Sequence, residues 1–100
     1  MEEAKVYAFS AAPLKKSSIE YFASLDMPLL NIYGMSEATG AMTLHNIFDF
    51  SLYDCGFAVP GTEIMIDNAD SDGKGEVCCK GRHIMMGYIK NEAATLEAID

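Results

Sequence analysis

The stretch Tyr33-Gly34-Met35-Ser36-Glu37-Ala38-Thr39-Gly40 decides how the rest of the chain is read. It follows the apolar run Leu29-Leu30-Asn31-Ile32, so it stands where an expected strand gives way to a loop. An aromatic, a glycine, a hydroxyl and a carboxylate in close succession suit a nucleotide. Tyr33 offers a flat face on which a base can stack. Gly34 lacks a Cβ, which permits close approach of the backbone to a ligand and a positive φ. The Ser36 hydroxyl can hydrogen-bond a phosphate oxygen. The Glu37 carboxylate can hold Mg²⁺, a hard cation that usually shares its shell with substrate phosphates. An ordinary strand-to-loop turn with a polar rim is the plain alternative.

Upstream of the octet, Lys5 to Ser10 carries Val6, Tyr7, Ala8 and Phe9 and reads as a short strand ending at Ser10-Ala11-Ala12-Pro13. Ser17-Ser18-Ile19-Glu20 fits a capping box, with Ser17 as N-cap and Glu20 reaching back. Ile19, Phe22 and Ala23 then line one helical face. Asp26 to Pro28 ends that helix, and Leu29 to Tyr33 is the second strand. Strand, helix, strand over so short a span predicts a parallel βαβ unit, whose ligands collect beyond the carboxyl ends of the strands. Ser10-Ala11-Ala12-Pro13 and the octet both fall at such ends, so the geometry predicts one shared pocket.

Downstream, residues 41–58, with Thr43-Leu44-His45-Asn46 and Phe48-Asp49-Phe50, suit a loop with buried aromatics. Thr62 to Asp67 alternates and reads as a strand, Asn68 to Gly75 as a polar turn, and Glu76 to Lys80 as the returning antiparallel strand. Asn91 caps a terminal helix with Leu96 and Ile99 facing inward. The fold class is therefore α/β: a βαβ portion, then an antiparallel β portion, then a terminal helix.

The octet resembles the Tyr-Gly-x-Ser/Thr-Glu-x-Thr-Gly motif of the adenylate-forming enzymes. Three further blocks agree, in family order. Ser10-Ala11-Ala12-Pro13-Leu14 is similar to the Gly-Ala-Ala-Pro-Leu segment of acyl-CoA synthetases, with Ser10 where glycine is usual. Val59-Pro60-Gly61-Thr62-Glu63-Ile64 resembles their Pro-Gly-Thr-Glu strand start. Gly75-Glu76-Val77-Cys78-Cys79-Lys80-Gly81-Arg82 with Met86-Gly87-Tyr88 resembles their Gly-Glu-Ile…Lys-Gly…Gly-Tyr block, and Asn91 to Asp100 the helix after it. The Arg82-His83 pair and Glu97-Ala98-Ile99-Asp100 look most like the bubblegum-type long-chain and very-long-chain fatty acid–CoA ligases.

This resemblance implies that residues 1–100 are a partial AMP-binding domain, a piece of the large N-terminal domain of an adenylate-forming enzyme. The substrates and cofactors implied are a fatty acid, ATP, Mg²⁺ and coenzyme A. Ser10, Ala11, Ala12, Pro13, Tyr33, Gly34, Met35 and Ser36 would bind ATP or AMP. Ser36 and Glu37 would be catalytic, Ser36 on the α-phosphate and Glu37 as the metal ligand. The family's Ser/Thr/Gly-rich phosphate loop, its Gly-Asp ribose motif and its C-terminal lysine are not in the sequence, and Asp100 is not the ribose aspartate. The isolated chain is expected to be inactive. A truncated, non-catalytic or partner-binding product is the alternative.

Composition excludes other classes. The net charge is −8, and Lys15-Lys16 is the one adjacent basic pair. That argues against a nucleic-acid surface and against a polybasic membrane patch. No apolar stretch approaches the ~20 residues of a membrane-spanning helix. Met1-Glu2-Glu3 is wrong for a signal peptide, and Met1 is read as an internal residue or a mis-called start. The cysteines are Cys55, Cys78 and Cys79. Reduced thiols in a cytoplasmic setting are the simplest reading, with peripheral membrane association left to the parent. Their spacing with His45 and His83 does not suit zinc. Asn68-Ala69-Asp70-Ser71-Asp72-Gly73 resembles the start of an EF-hand loop, which keeps an acidic calcium-binding module as a rival. The twelfth position, however, is Cys79, and the flanks read as strands, so Asp72-Gly73 suits a hairpin. Met85-Met86 beside Ile84 suggests core packing, His45 reads as a loop histidine without a partner acid, and His83 belongs to the Gly81-Arg82-His83 turn.

Overall fold

Two parallel strands joined by a helix open the chain: β1 (Tyr7–Phe9), α1 (Lys16–Ser24) and β2 (Leu29–Met35). The register pairs Tyr7 with Leu29, Ala8 with Leu30 and Phe9 with Asn31. The computed structural model describes residues 3–99; Met1, Glu2 and Asp100, which the expected domain and terminal segment included, lie outside the described residues. β2 outruns β1. Its second half, Ile32 to Met35, pairs with β3 (Gly40–Leu44), which runs antiparallel to it, and β4 (Phe57–Ala58) adds to the far side of β3. The sheet order is β1-β2-β3-β4. A separate antiparallel pair, β5 (Thr62–Asp67) and β6 (Glu76–Gly81), follows, and then α2 (Glu92–Ala98).

The helix start differs from expectation. Ser17 lies inside α1, and the N-cap is Lys15, with extended backbone and no side-chain cap. The Lys15 carbonyl already accepts from the amides of Ser18 and Ile19. Glu20 faces outward instead of back. It accepts a 2.8 Å hydrogen bond from the Tyr53 hydroxyl and lies 3.9 Å from Lys16, whose ammonium stands 4.4 Å from the Tyr53 ring centre. Tyr53 thus ties the long segment after β3 to α1.

Residues 41–58 are not one loop. They start inside β3 and end with β4, and Phe48 is 88% exposed, so the expected aromatic burial fails there. Phe50 is half-buried against His45. Leu96 faces outward at 73% exposure although Asn91 caps α2 as expected, its side chain accepting from the Ala94 amide. Ile99 is half-buried. Met86 is fully exposed, against the core packing expected of it, while Ile84 and Met85 are half-buried.

The buried apolar side chains among the described residues are Ile19, Leu30, Ala38 and Met42. They mark a small core where α1, β2, the turn after β2 and β3 meet. The radius of gyration is 16.0 Å, above the ~13 Å usual for a compact domain of ~100 residues. Large apolar side chains lie at the surface, Ile89 at 91% and Phe57 at 60% exposure among them. No helix among the described residues is long and apolar enough to cross a membrane.

Candidate nucleotide site at the carboxyl edge of the mixed sheet

Parallel pairing of β1 with β2 puts Ser10 to Pro13 and the octet at the same edge, as expected. Ser10, Ala11, Ala12 and Pro13 are all exposed there. Ala11 has φ 73°, a left-handed conformation in which a Cβ costs about 1–2 kcal/mol. The chain thus turns sharply off β1 under local strain. Across the edge, Tyr33 and Met35 are half-buried on β2. Ser36 opens a short 3₁₀ turn over Ser36–Ala38 and is exposed. Ala38 is buried beneath that turn, and Thr39 closes it with φ 60°.

Of the two reasons the sequence suggested for Gly34, the positive φ does not hold. Gly34 is not among the residues with positive φ. A Cβ on Gly34 would overlap the Gly40 carbonyl oxygen and crowd the Cα of Ala41 on β3. The register of β2 against β3 shifts between Tyr33 and Gly34. Gly34 thus permits the close approach of its neighbouring strand.

Glu37 is half-buried and held by a segment remote in sequence. Its Oε1 accepts a 2.6 Å hydrogen bond from the Tyr88 hydroxyl, and its backbone carbonyl accepts from the Met85 amide at 2.7 Å. The Thr39 hydroxyl donates to the His83 carbonyl. The residues after β6 are thereby fastened onto the octet. The Tyr88 hydroxyl, then the residue's own backbone amide, lower the Glu37 carboxyl from its ordinary 4.5, against a smaller opposing effect of burial. The same bond raises the Tyr88 phenol. Glu37 is therefore ionised at neutral pH. Among the described residues no cluster of three or more His, Cys, Asp or Glu side chains could cage a metal. A single ionised carboxylate nevertheless fits Mg²⁺, which keeps several waters and takes oxygens from substrate phosphates. Tyr88 was legible only as part of a block; nothing local to it shows that it reaches Glu37.

His45 has the partner acid that the sequence seemed to deny it. It is 2% exposed, its Nε2 lies 2.6 Å from Asp54 Oδ1, and its Nδ1 accepts from the Asn31 amide at 3.0 Å. With Nδ1 accepting, Nε2 carries the proton and donates to the carboxylate. The His45 bond, followed by the Gly56 amide and Ser51, lowers the Asp54 carboxyl to about 2. Both ring nitrogens are thus used in pinning β2 and β3 to the loop before β4. His83 Nε2 meets Thr62 Oγ1 at 3.2 Å, in keeping with a structural turn. In the β5–β6 hairpin, Asp70 Oδ1 accepts from the amides of Asp72 and Lys74. The flanks are strands, and the EF-hand likeness ends there. Cys55, Cys78 and Cys79 form no disulfide.

The match with known proteins agrees with this geometry. The AMP-binding enzyme family matches residues 1–89. The chain belongs to that family. Over 100 residues it is 42% identical to the long-chain-fatty-acid–CoA ligase ACSBG2 of Mus musculus, covering all of this chain and 15% of that protein. The ACSBG2 of Homo sapiens is 44% identical over 89 residues, which are 89% of this chain and 13% of the relative. The ligase ACSBG1 of Mus musculus is 40% identical over 92 residues, 92% of this chain and 13% of the relative. The chain thus spans about a seventh of the length of these curated relatives. Solved structures share the fold. Unliganded o-succinylbenzoate coenzyme A synthetase (MenE) from Bacillus subtilis superposes with a TM-score of 0.81 at 21% identity, covering 100% of this chain and 22% of that one. The anthranilate CoA ligase AuaEII, in complex with anthranoyl-AMP, gives 0.77 at 15% identity, covering 90% and 19%.

Proposed function

We propose that the chain is part of a long-chain fatty acid–CoA ligase and contributes the base and phosphate side of its ATP site. A carboxylate does not react with a thiol at useful rates. Such a ligase first lets the fatty acid carboxylate attack the α-phosphorus of ATP, giving acyl-adenylate and releasing pyrophosphate. The thiol of coenzyme A then attacks the acyl carbon, and AMP leaves.

The observation that carries this reading is the shared edge: with β1 and β2 parallel, the Ser10–Pro13 turn and the stretch from Tyr33 to Glu37 both lie at the carboxyl end of the sheet. In this reading Tyr33 stacks on adenine, and Ser10, Ala11, Ala12, Pro13 and Met35 shape the base pocket with Gly34. Ser36 donates to the α-phosphate, and Glu37 holds Mg²⁺. The cation, when bound, neutralises phosphate charge, and positioning with charge neutralisation carries most of phosphoryl-transfer catalysis. The names of the relatives support the fatty-acid substrate, and a cytoplasmic enzyme, peripheral on membranes, is the corresponding setting.

The test is fatty-acid-dependent ATP–pyrophosphate exchange by a full-length ligase containing this segment. Exchange is expected, with loss in Glu37→Gln. The 100-residue chain alone is expected to show none. Exchange by the isolated chain above its own Glu37→Gln control would overturn the inactivity, and full exchange by the full-length variant would overturn the role of Glu37.

A further inference from the structure

Apart from its own backbone amide, the Glu37 carboxylate is held through Oε1. Among the described residues no side chain other than Tyr88 hydrogen-bonds to it, and Tyr88 takes Oε1. Tyr88 is itself held from behind. Its amide donates to Thr95 Oγ1 at 2.9 Å, and the Thr95 hydroxyl donates to the Asn91 carbonyl at 2.9 Å. The Asn91 amide in turn donates to the Tyr88 carbonyl at 3.3 Å. Gly87 makes this possible: at φ 144° a Cβ there would collide with the Thr95 side chain. The first turn of α2 therefore fixes the Tyr88 backbone, while the Met85 amide fixes the Glu37 backbone from the same segment. A phenol built this firmly against one carboxylate oxygen sets the carboxylate's rotation.

We propose that Tyr88 is the positioning residue for Glu37, holding Oε1 so that Oε2 is the oxygen presented to a divalent cation on the ATP phosphates. This rests on the reading of Glu37 as the metal-holding carboxylate. It goes beyond that reading by assigning a residue that touches neither nucleotide nor metal. Partners that orient metal-binding groups are commonly worth 10–100-fold in metal affinity.

The experiment uses the full-length ligase and two readouts. The first counts free Mn²⁺ by electron paramagnetic resonance during titration of the enzyme with Mn²⁺ and a non-hydrolysable ATP analogue, with no turnover. The second is the Mg²⁺ concentration giving half-maximal pyrophosphate exchange. Tyr88→Phe is expected to weaken Mn²⁺ binding about 10-fold or more and to raise the Mg²⁺ requirement in step. Thr39→Val, which cuts the Thr39–His83 bond between the same two segments and spares the phenol, should leave both midpoints in place. Equal metal midpoints for Tyr88→Phe and wild type overturn the proposal, and so does an equal shift in Thr39→Val, since a merely structural tie would behave that way. Glu37→Gln separates the two ideas. If it leaves Mn²⁺ binding intact, the reading of Glu37 fails; if it abolishes binding while Tyr88→Phe does not weaken it, only the role of Tyr88 fails. Tyr88 is 39% exposed, so loss of one hydroxyl leaves packing undisturbed, and a thermal melt of each variant checks this.

Discussion

His45 Nε2 and Asp54 Oδ1 lie 2.6 Å apart, with the ring buried and the carboxylate 59% exposed. The pair stands at a boundary: its inner half anchors the sheet through the Asn31 amide, and its outer half stays in contact with water. Replacing His45 by Ala strips the Asn31 amide of its acceptor. An unsatisfied amide costs about 1–3 kcal/mol, and a cavity adds to it. The full-length enzyme should lose thermal stability, while His45→Gln, able to keep one of the two bonds, should lose less. Equal melting of His45→Ala and wild type would remove the pinning role.

The same pair sets a pH dependence. Asp54 is lowered to about 2 from its ordinary 3.8, chiefly by the His45 bond. A carboxyl depressed in the folded state favours folding when ionised. Its contribution is fully present above 3.8 and is lost as pH falls through about 2. Glu37, lowered from 4.5 by Tyr88, adds in the same direction from a slightly higher starting pH. Denaturant midpoints should fall across that acid window, and Asp54→Asn should flatten the part due to Asp54. An unchanged slope in Asp54→Asn would assign the acid sensitivity to other groups.

Gly34→Ala should be far more damaging than its size suggests. The added methyl meets backbone of the adjoining strand, which cannot rotate away as a side chain could. Overpacking typically costs about 1–3 kcal/mol, and this site belongs at the upper end. Gly73→Ala is the comparison. Its Cβ meets open space, and only the φ of 76° opposes it. Gly34→Ala should lower the melting temperature more. The reverse order would mean that β2 and β3 can part without cost.

These contrasts show where the sequence was legible. The βαβ unit could be read because its signals are local: the apolar run Val6 to Phe9, helical spacing at Ile19, Phe22 and Ala23, and an apolar run before the octet. The shared edge followed from topology alone. The start of α1 was misplaced because backbone amides at Ser18 and Ile19 found the Lys15 carbonyl, leaving the Ser17 hydroxyl unneeded as a cap. β3 and β4 were hidden because their pairing is settled by β2 and by a β-bulge, not by their own composition. Tyr88 with Glu37 and Thr39 with His83 join residues more than forty positions apart. No spacing rule reaches that far. The outward faces of Leu96 and Met86 were missed for a related reason: an apolar residue turns inward only where a partner surface exists.

The isolated chain should be marginal. Its core is small, and β1 and β4 stand at the two edges of the sheet with neighbours on one side only. Open edges invite association between copies. Concentration-dependent assembly and a broad thermal transition are expected by light scattering and circular dichroism. A sharp, concentration-independent transition from a monomer would show that the few buried side chains suffice.

If Tyr33 stacks on adenine and Glu37 holds Mg²⁺, as proposed, the two should separate kinetically in the full-length ligase. Tyr33→Ala removes only a stacking face, worth about 1–3 kcal/mol by analogy with base–aromatic stacking. That contact is made equally in the ground state and the transition state, so KM for ATP should rise with kcat nearly unchanged. Glu37→Gln keeps the size and removes the charge. Its work falls on phosphates whose charge shifts during transfer, where electrostatic stabilisation acts most strongly in the transition state. Here kcat for adenylation should fall with much less change in KM. Each outcome is read from the ATP dependence of pyrophosphate exchange at saturating fatty acid and Mg²⁺. A fall in kcat for Tyr33→Ala equal to that of Glu37→Gln would mean that Tyr33 positions the reacting phosphate and is more than a platform for the base. A pure KM effect for Glu37→Gln would return Glu37 to a structural carboxylate, whose bond to Tyr88 serves only to fasten α2 to the sheet.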